Sequence, residues 1–217
     1  MLRVDRLAST VLLALTFAAC SDATGPAGPA GPDFEYAVDD FSRVRDTTPS
    51  TPHYALRHAA TAPGLSTYQA SFWAKRGEER SVTVSYGNDG PTYLTFTVPR
   101  MGLERGLDGH RLSVGDSVLI SLQLDPVAFQ VEFEPSGLQF SKKNPATLRV
   151  WYGFMDPDVN RDGSVDAADQ TLMQSGVTYY HFDTGGINWK KISSLTDPVA
   201  QTIETAVDGF SGYVISW

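Results

Sequence analysis

Period-two alternation of apolar and polar side chains, in short runs separated by Gly, Pro, Asn and Asp, is the feature that most restricts this chain. Val82, Val84 and Tyr86 alternate with Ser81, Thr83 and Ser85; Leu94, Phe96 and Val98 with Thr95 and Thr97; Val118, Ile120 and Leu122 with Ser117, Ser121 and Gln123. An extended strand, whose successive side chains point to opposite faces, turns such a run into one buried and one wet surface. Further strands are expected over 128–134, 137–141, 146–152, 177–182, 201–207 and 212–216, with turns at 87–91, 135–137, 143–145 and 184–186. About nine short strands with almost no helical pattern predict an all-β fold, an antiparallel β-sandwich, over residues 64–217.

The segment ahead of it reads differently. Arg3 and Arg6 precede an apolar stretch from Leu7 to Ala19; a membrane span needs about 20 residues, so residues 1–19 read as an export signal. Phe17-Ala18-Ala19-Cys20 resembles the lipobox of bacterial lipoproteins. That resemblance implies lipidation of Cys20 after cleavage and a membrane partner through the lipid anchor, which two acyl chains hold stably. Ser21 stands where Asp would signal inner-membrane retention, so the expected address is the outer membrane. Residues 20–63 are rich in Gly, Pro, Ser and Thr and read as a spacer. Gly25 to Pro32 keeps a Gly-X-Y period for fewer than three repeats, too short for a triple helix.

Composition removes several function classes. Hydrophobic residues are 41% and charged residues 19%, enough to bury a core. The net charge is −8 and no run of Lys or Arg occurs, which argues against a nucleic-acid partner. One Cys excludes an internal disulfide and every multi-cysteine metal site.

The most specific signal is Asp158-Val-Asn160-Arg-Asp162-Gly163-Ser164-Val165-Asp166-Ala-Ala-Asp169. Calcium takes six to eight oxygens, and ligands at loop positions one, three, five, seven, nine and twelve wrap a chain around one ion. Asp158, Asn160 and Asp162 would offer side-chain oxygens and Ser164 its carbonyl. Asp166 would bind directly or through water, and Asp169 would close the loop. Gly163 sits at the sharp turn, and Val165 is expected to pin the loop to the body. Ala167 to Ser175 is expected to form a helix that Gly176 ends. The pattern resembles one dockerin or EF-hand loop, with Asp rather than Glu at position twelve. Dockerins carry two such loops, so one loop-helix inserted between sandwich strands is expected here, with calcium in a structural role. The alternative is an Asx-rich turn without an ion.

The runs Leu94 to Pro99, Val131 to Phe140, Leu148 to Tyr152, Trp189 and Val207 to Val214 resemble, in their order, the β-sandwich domain shared by zonula occludens proteins, ankyrins and netrin receptors. Some relatives cut themselves between Phe and Ser of a His-Phe-Ser motif. Gly209-Phe210-Ser211 stands here, with no imidazole next to the hydroxyl along the chain, so self-cleavage is not expected.

No G-x-S-x-G, H-E-x-x-H or P-loop occurs. His53, His58, His110 and His181 are far apart in sequence and read as surface or strand residues. Glu132 and Glu134 share a strand face, where solvated carboxylates are the ordinary reading. Trp151, Tyr152, Phe154, Tyr179, Tyr180 and Trp189 cluster around the calcium loop and could stack on sugars, although alternation sends Tyr179 and Tyr180 to opposite faces. Trp217 is expected to be buried. The expectation is therefore a lipid-anchored, non-enzymatic envelope module with a protein or glycan partner. A carbohydrate-binding module is the first alternative. An envelope hydrolase is the second, and would need a cleft holding a nucleophile and a base within hydrogen-bond reach.

Overall fold

The computed structural model describes residues 43–44, 53–182 and 189–217. The export signal, Cys20, the Gly-X-Y run, the Thr47 to Pro52 tract and the 184–186 turn lie outside the described residues. The elements in chain order are β1 (Arg43–Val44), β2 (His53–Tyr54), β3 (Gln69–Lys75), β4 (Arg80–Ser85), β5 (Thr92–Val98), β6 (Leu103–Arg105), β7 (Ser117–Leu124), β8 (Gln130–Glu134), β9 (Gln139–Phe140) and β10 (Ala146–Trp151). The helix α1 (Ala167–Gly176) follows, then β11 (Thr178–Phe182), β12 (Trp189–Ile192), β13 (Ser194–Asp197), β14 (Thr202–Val207) and β15 (Gly212–Ser216).

The fold is an all-β antiparallel sandwich. One sheet runs β13-β14-β10-β5-β4 and the other β12-β11-β15-β8-β7-β3, with β6-β9 and β1-β2 as small ladders. Every ladder pairing is antiparallel, for example Leu148 opposite Phe96 and Ile120 opposite Phe72. Alternation decides which side chains are enclosed. Leu94, Phe96 and Val98 of β5 meet Phe133 of β8 and Phe210 across the layers, and all are buried. Phe96 lies at its centre, its ring within 4.7 Å of Phe133 and 5.8 Å of Phe210.

All nine expected strands form, with ends shifted by at most two residues. The strands β3, β6, β12 and β13, and the two-residue strands β1 and β2, are not expected from the sequence. β3 and β13 are edge strands, and Trp73 on β3 and Leu195 on β13 are exposed, so their patterns carry no clear buried face. The packed body also begins before residue 64. The Leu56 amide donates to the Ile215 carbonyl at 2.8 Å, and the Leu56 carbonyl accepts from Phe129 at 2.9 Å, with Leu56 fully enclosed. His58 and Ala59 add amide bonds to the Val127 and Phe154 carbonyls, and no periodic pattern announces this segment.

Candidate functional site

The 158–169 loop follows β10 through the turn at 152–155 and ends on α1. Its backbone turns where the sequence expects: Gly163 has φ +88° and Arg161 has φ +60°, both left-handed. Asp166 is the N-cap of α1, its Oδ1 accepting from the Ala168 amide at 2.7 Å. The Asp169 carboxylate reaches back to the Asp166 amide at 2.9 Å, which completes a capping box. The Asp169 Oδ1 also accepts from Val159 at 2.8 Å and Asn160 at 3.1 Å, so position twelve closes against positions two and three. The residue is 1% exposed. Amide donors, first that of Asp166 and then that of Asn160, hold its carboxyl below the usual carboxylate range.

The opposite side of the loop is a chain of Asx turns. Asp158 accepts from the amides of Asp162 at 3.1 Å and Gly163 at 2.9 Å. Asn160 Oδ1 accepts from Asp162 at 2.9 Å, and Asp162 Oδ1 accepts from Ser164 at 2.8 Å. The fold thus brings Asp158, Asn160, Asp162 and Asp169 around one loop, while Asp166 caps the helix and Ser164 lies on the exposed side. The oxygens are hard donors. Both Asp158 oxygens, Asn160 Oδ1, Asp162 Oδ1 and Asp169 Oδ2 each accept one amide and keep a lone pair, whereas Asp169 Oδ1 is used by two, so the donor chemistry fits calcium with Asp169 offering Oδ2. Among the described residues no three His, Cys, Asp or Glu side chains are gathered closely enough to hold an ion by themselves. Asn160 and the Ser164 carbonyl would have to complete the set.

One expectation about the loop is corrected. Val165 does not pin it, being 63% exposed; Val159, at position two, is buried in the core and does so. The amide of Val159 is tied to Asp169, which turns its side chain inward and leaves Val165 on the helix approach. Arg161 adds a second tether, donating to the Ala55 carbonyl at 2.7 Å with its guanidinium 4.7 Å above the Tyr54 ring.

The aromatic set around the loop is mostly interior. Tyr152, Tyr179 and Tyr180 are buried, and Trp151 and Phe154 pack edge-on against Tyr86. Tyr179 and Tyr180 do face opposite ways. Tyr179 enters the inter-sheet core, while Tyr180 lies on the outer face beneath Ala55, Val214 and Ala128. Trp217 is buried against Tyr54. Glu132 and Glu134 lie opposite Gln123 and Ser121 on the outer face, and Glu134 accepts from the Ser136 amide. Such contacts suit a solvated sheet face rather than a cleft.

One histidine departs from the sequence reading, and a second, on a strand as expected, has a partner that the reading missed. His58, expected at the surface or on a strand, lies in an aromatic box with its ring 4.1 Å from Phe129 and 5.4 Å from Tyr93. His181, on β11, places Nε2 2.5 Å from Ser211 Oγ. The chain around Gly209-Phe210-Ser211 has no imidazole, but antiparallel pairing of β11 with β15 supplies one from thirty residues away. Spacing along the chain carried no signal for this pair. Comparisons with protein-family models, curated proteins and solved structures returned no match.

Proposed function

We propose that this chain is a lipid-anchored envelope protein whose β-sandwich is a structural or interaction module stabilised by calcium in the 158–169 loop. The observation that carries the reading is the closed loop itself. Asp169 is drawn back onto the loop's first turn by the amides of Val159 and Asn160 and onto the helix cap by that of Asp166, and Asp158, Asn160 and Asp162 stand across from it. Asp158, Asn160, Asp162, Ser164, Asp166 and Asp169 would hold the ion, which supplies positive charge among four carboxylates that repel one another without it. Binding to the folded chain alone would then add stability in proportion to calcium concentration. The tether rests on Arg3, Arg6, the apolar run to Ala19 and Cys20. With Ser21 after the cysteine the address would be the outer membrane, and the module's partner there would be a protein or a glycan.

Calorimetric titration of calcium into the metal-free full chain, with Asp162→Ala as control and thermal melts in parallel, tests the ion. One saturable site, lost in the variant and raising the melting temperature of the parent, is the expected result. No heat and no thermal shift would leave an Asx-rich turn. Labelling of cells with a radioactive fatty acid tests the tether, with incorporation expected in the parent and abolished by Cys20→Ala.

A further inference from the structure

The second chemically competent place in the fold is the crevice between the two sheets at the end where β11, β12 and β15 meet the 206–211 corner. It encloses about 590 Å³, within the range of small-molecule sites. Leu138, Ile192, Phe210 and Tyr213 supply apolar walls, and Lys190 and Asp208 bring one charge of each sign. Ser211 and His181 both line it, in mutual hydrogen-bond contact.

The pair is held by rigid parts. His181 lies directly opposite Tyr213 in the β11–β15 ladder, with ring centres 5.0 Å apart. Ser211 lies at the bend just before β15, and its contact with His181 turns its hydroxyl into the crevice. On one side of Ser211, the Phe210 ring is stacked on Phe133 at 4.9 Å and 12°. On the other, the Tyr213 hydroxyl donates to the Gly209 carbonyl at 2.7 Å, and the Ser211 carbonyl accepts from the Phe133 amide at 3.1 Å. A nucleophile on a pinned backbone beside a base on a neighbouring strand satisfies the geometric requirement for activating a hydroxyl.

We propose that Ser211 is a nucleophile activated by His181, and that the crevice takes small carboxylic esters with an apolar acyl group. As Ser211 Oγ bonds to the ester carbon, its proton passes to His181 Nε2. The carbon–oxygen bond to the alcohol breaks, and the alcohol leaves with that proton. Water then attacks the acyl-serine, giving one proton to His181, which returns it to Ser211 Oγ as the carboxylic acid departs. An alcohol leaving group needs less protonation than an amine, which suits a site with one imidazole. Lys190, cross-strand from His181, lines the same crevice and brings positive charge to it. The inference goes beyond the tethered-module reading and stands whether or not the loop binds calcium.

The test uses the full chain, its Ser211→Ala variant and its His181→Gln variant, after matched thermal melts. Each is incubated with p-nitrophenyl acetate and with a fluorophosphonate, and the products are read by absorbance and intact mass. The expected result is ester turnover that rises with pH as one base deprotonates, with a fluorophosphonate adduct on Ser211. Ser211→Ala should lose both, and His181→Gln should slow both by about 100-fold or more, the low end of general-base contributions. Parent chain that gains no adduct, or turnover equal in parent and Ser211→Ala, overturns the proposal. So does a chain found cut between Phe210 and Ser211 without an adduct, because the serine would then act only on its own peptide bond.

Discussion

The half-buried imidazole of His58, whose Nε2 is enclosed, makes stability depend on pH in a defined window. Burial lowers its pKa from the ordinary 6.5 to about 4, partly opposed by the charge of Asp125. Its Nδ1 lies 3.1 Å from the Tyr86 hydroxyl, whereas Nε2 is enclosed with no hydrogen-bond partner. Protonation would place a second N–H where no acceptor stands, among the rings of Phe129, Tyr93 and Tyr86. A base with a depressed folded pKa is neutral in the native state while the unfolded chain takes up the proton. Stability is therefore complete above pH 6.5 and lost as pH falls toward 4, below which both states are protonated. Each tenfold difference in proton affinity between the two states is worth about 1.36 kcal/mol, so the loss works out at about 2 kcal/mol at pH 5 and about 3 kcal/mol at pH 4. Other carboxylates titrate in the same range, so the informative quantity is a difference between two chains. Urea unfolding of the parent and of His58→Phe, which keeps a ring in the box without a titrating nitrogen, should be followed from pH 7 to pH 4. The parent should lose about 3 kcal/mol more than the variant over that range. Parallel pH profiles, or a His58 proton resonance titrating near 6.5, would refute the argument.

Asp166→Ala removes the cap of α1 and should cost about 1 kcal/mol in urea unfolding, with Asp166→Asn recovering most of it. Phe96→Ala empties the centre of the core and should cost about 3–5 kcal/mol. Trp73→Ala on the edge strand, where the ring is 62% exposed, should shift stability by less than about 0.5 kcal/mol. Equal costs for the two would mean that the layers are not packed as described. Gly212→Ala should destabilise or broaden the melt, since a Cβ there would run into the Phe182 ring that lies across it. An unchanged melt would show that this ring moves freely.

The alternating runs became strands because alternation is a local property, with one face to bury whatever the partner, whereas β11 and β15 are enclosed on both faces. The same holds for the 158–169 loop. Gly163, the Asx residues and the Asp166/Asp169 box act over a few residues, so the turn and the start of α1 were legible in the chain. Edge position alone does not hide a strand, since β4 is also an edge and its alternation was legible; β3 and β13 were not, because each leaves a large apolar side chain, Trp73 or Leu195, in solvent and so blurs the alternation. Tertiary structure alone chose Val159 over Val165 as the loop's anchor, and covered Tyr180 with Ala55 and Ala128. It also enclosed His58 and set His181 against Ser211. Those outcomes depend on which strands become neighbours and in what register, and an antiparallel ladder can bring together residues that no spacing along the chain relates.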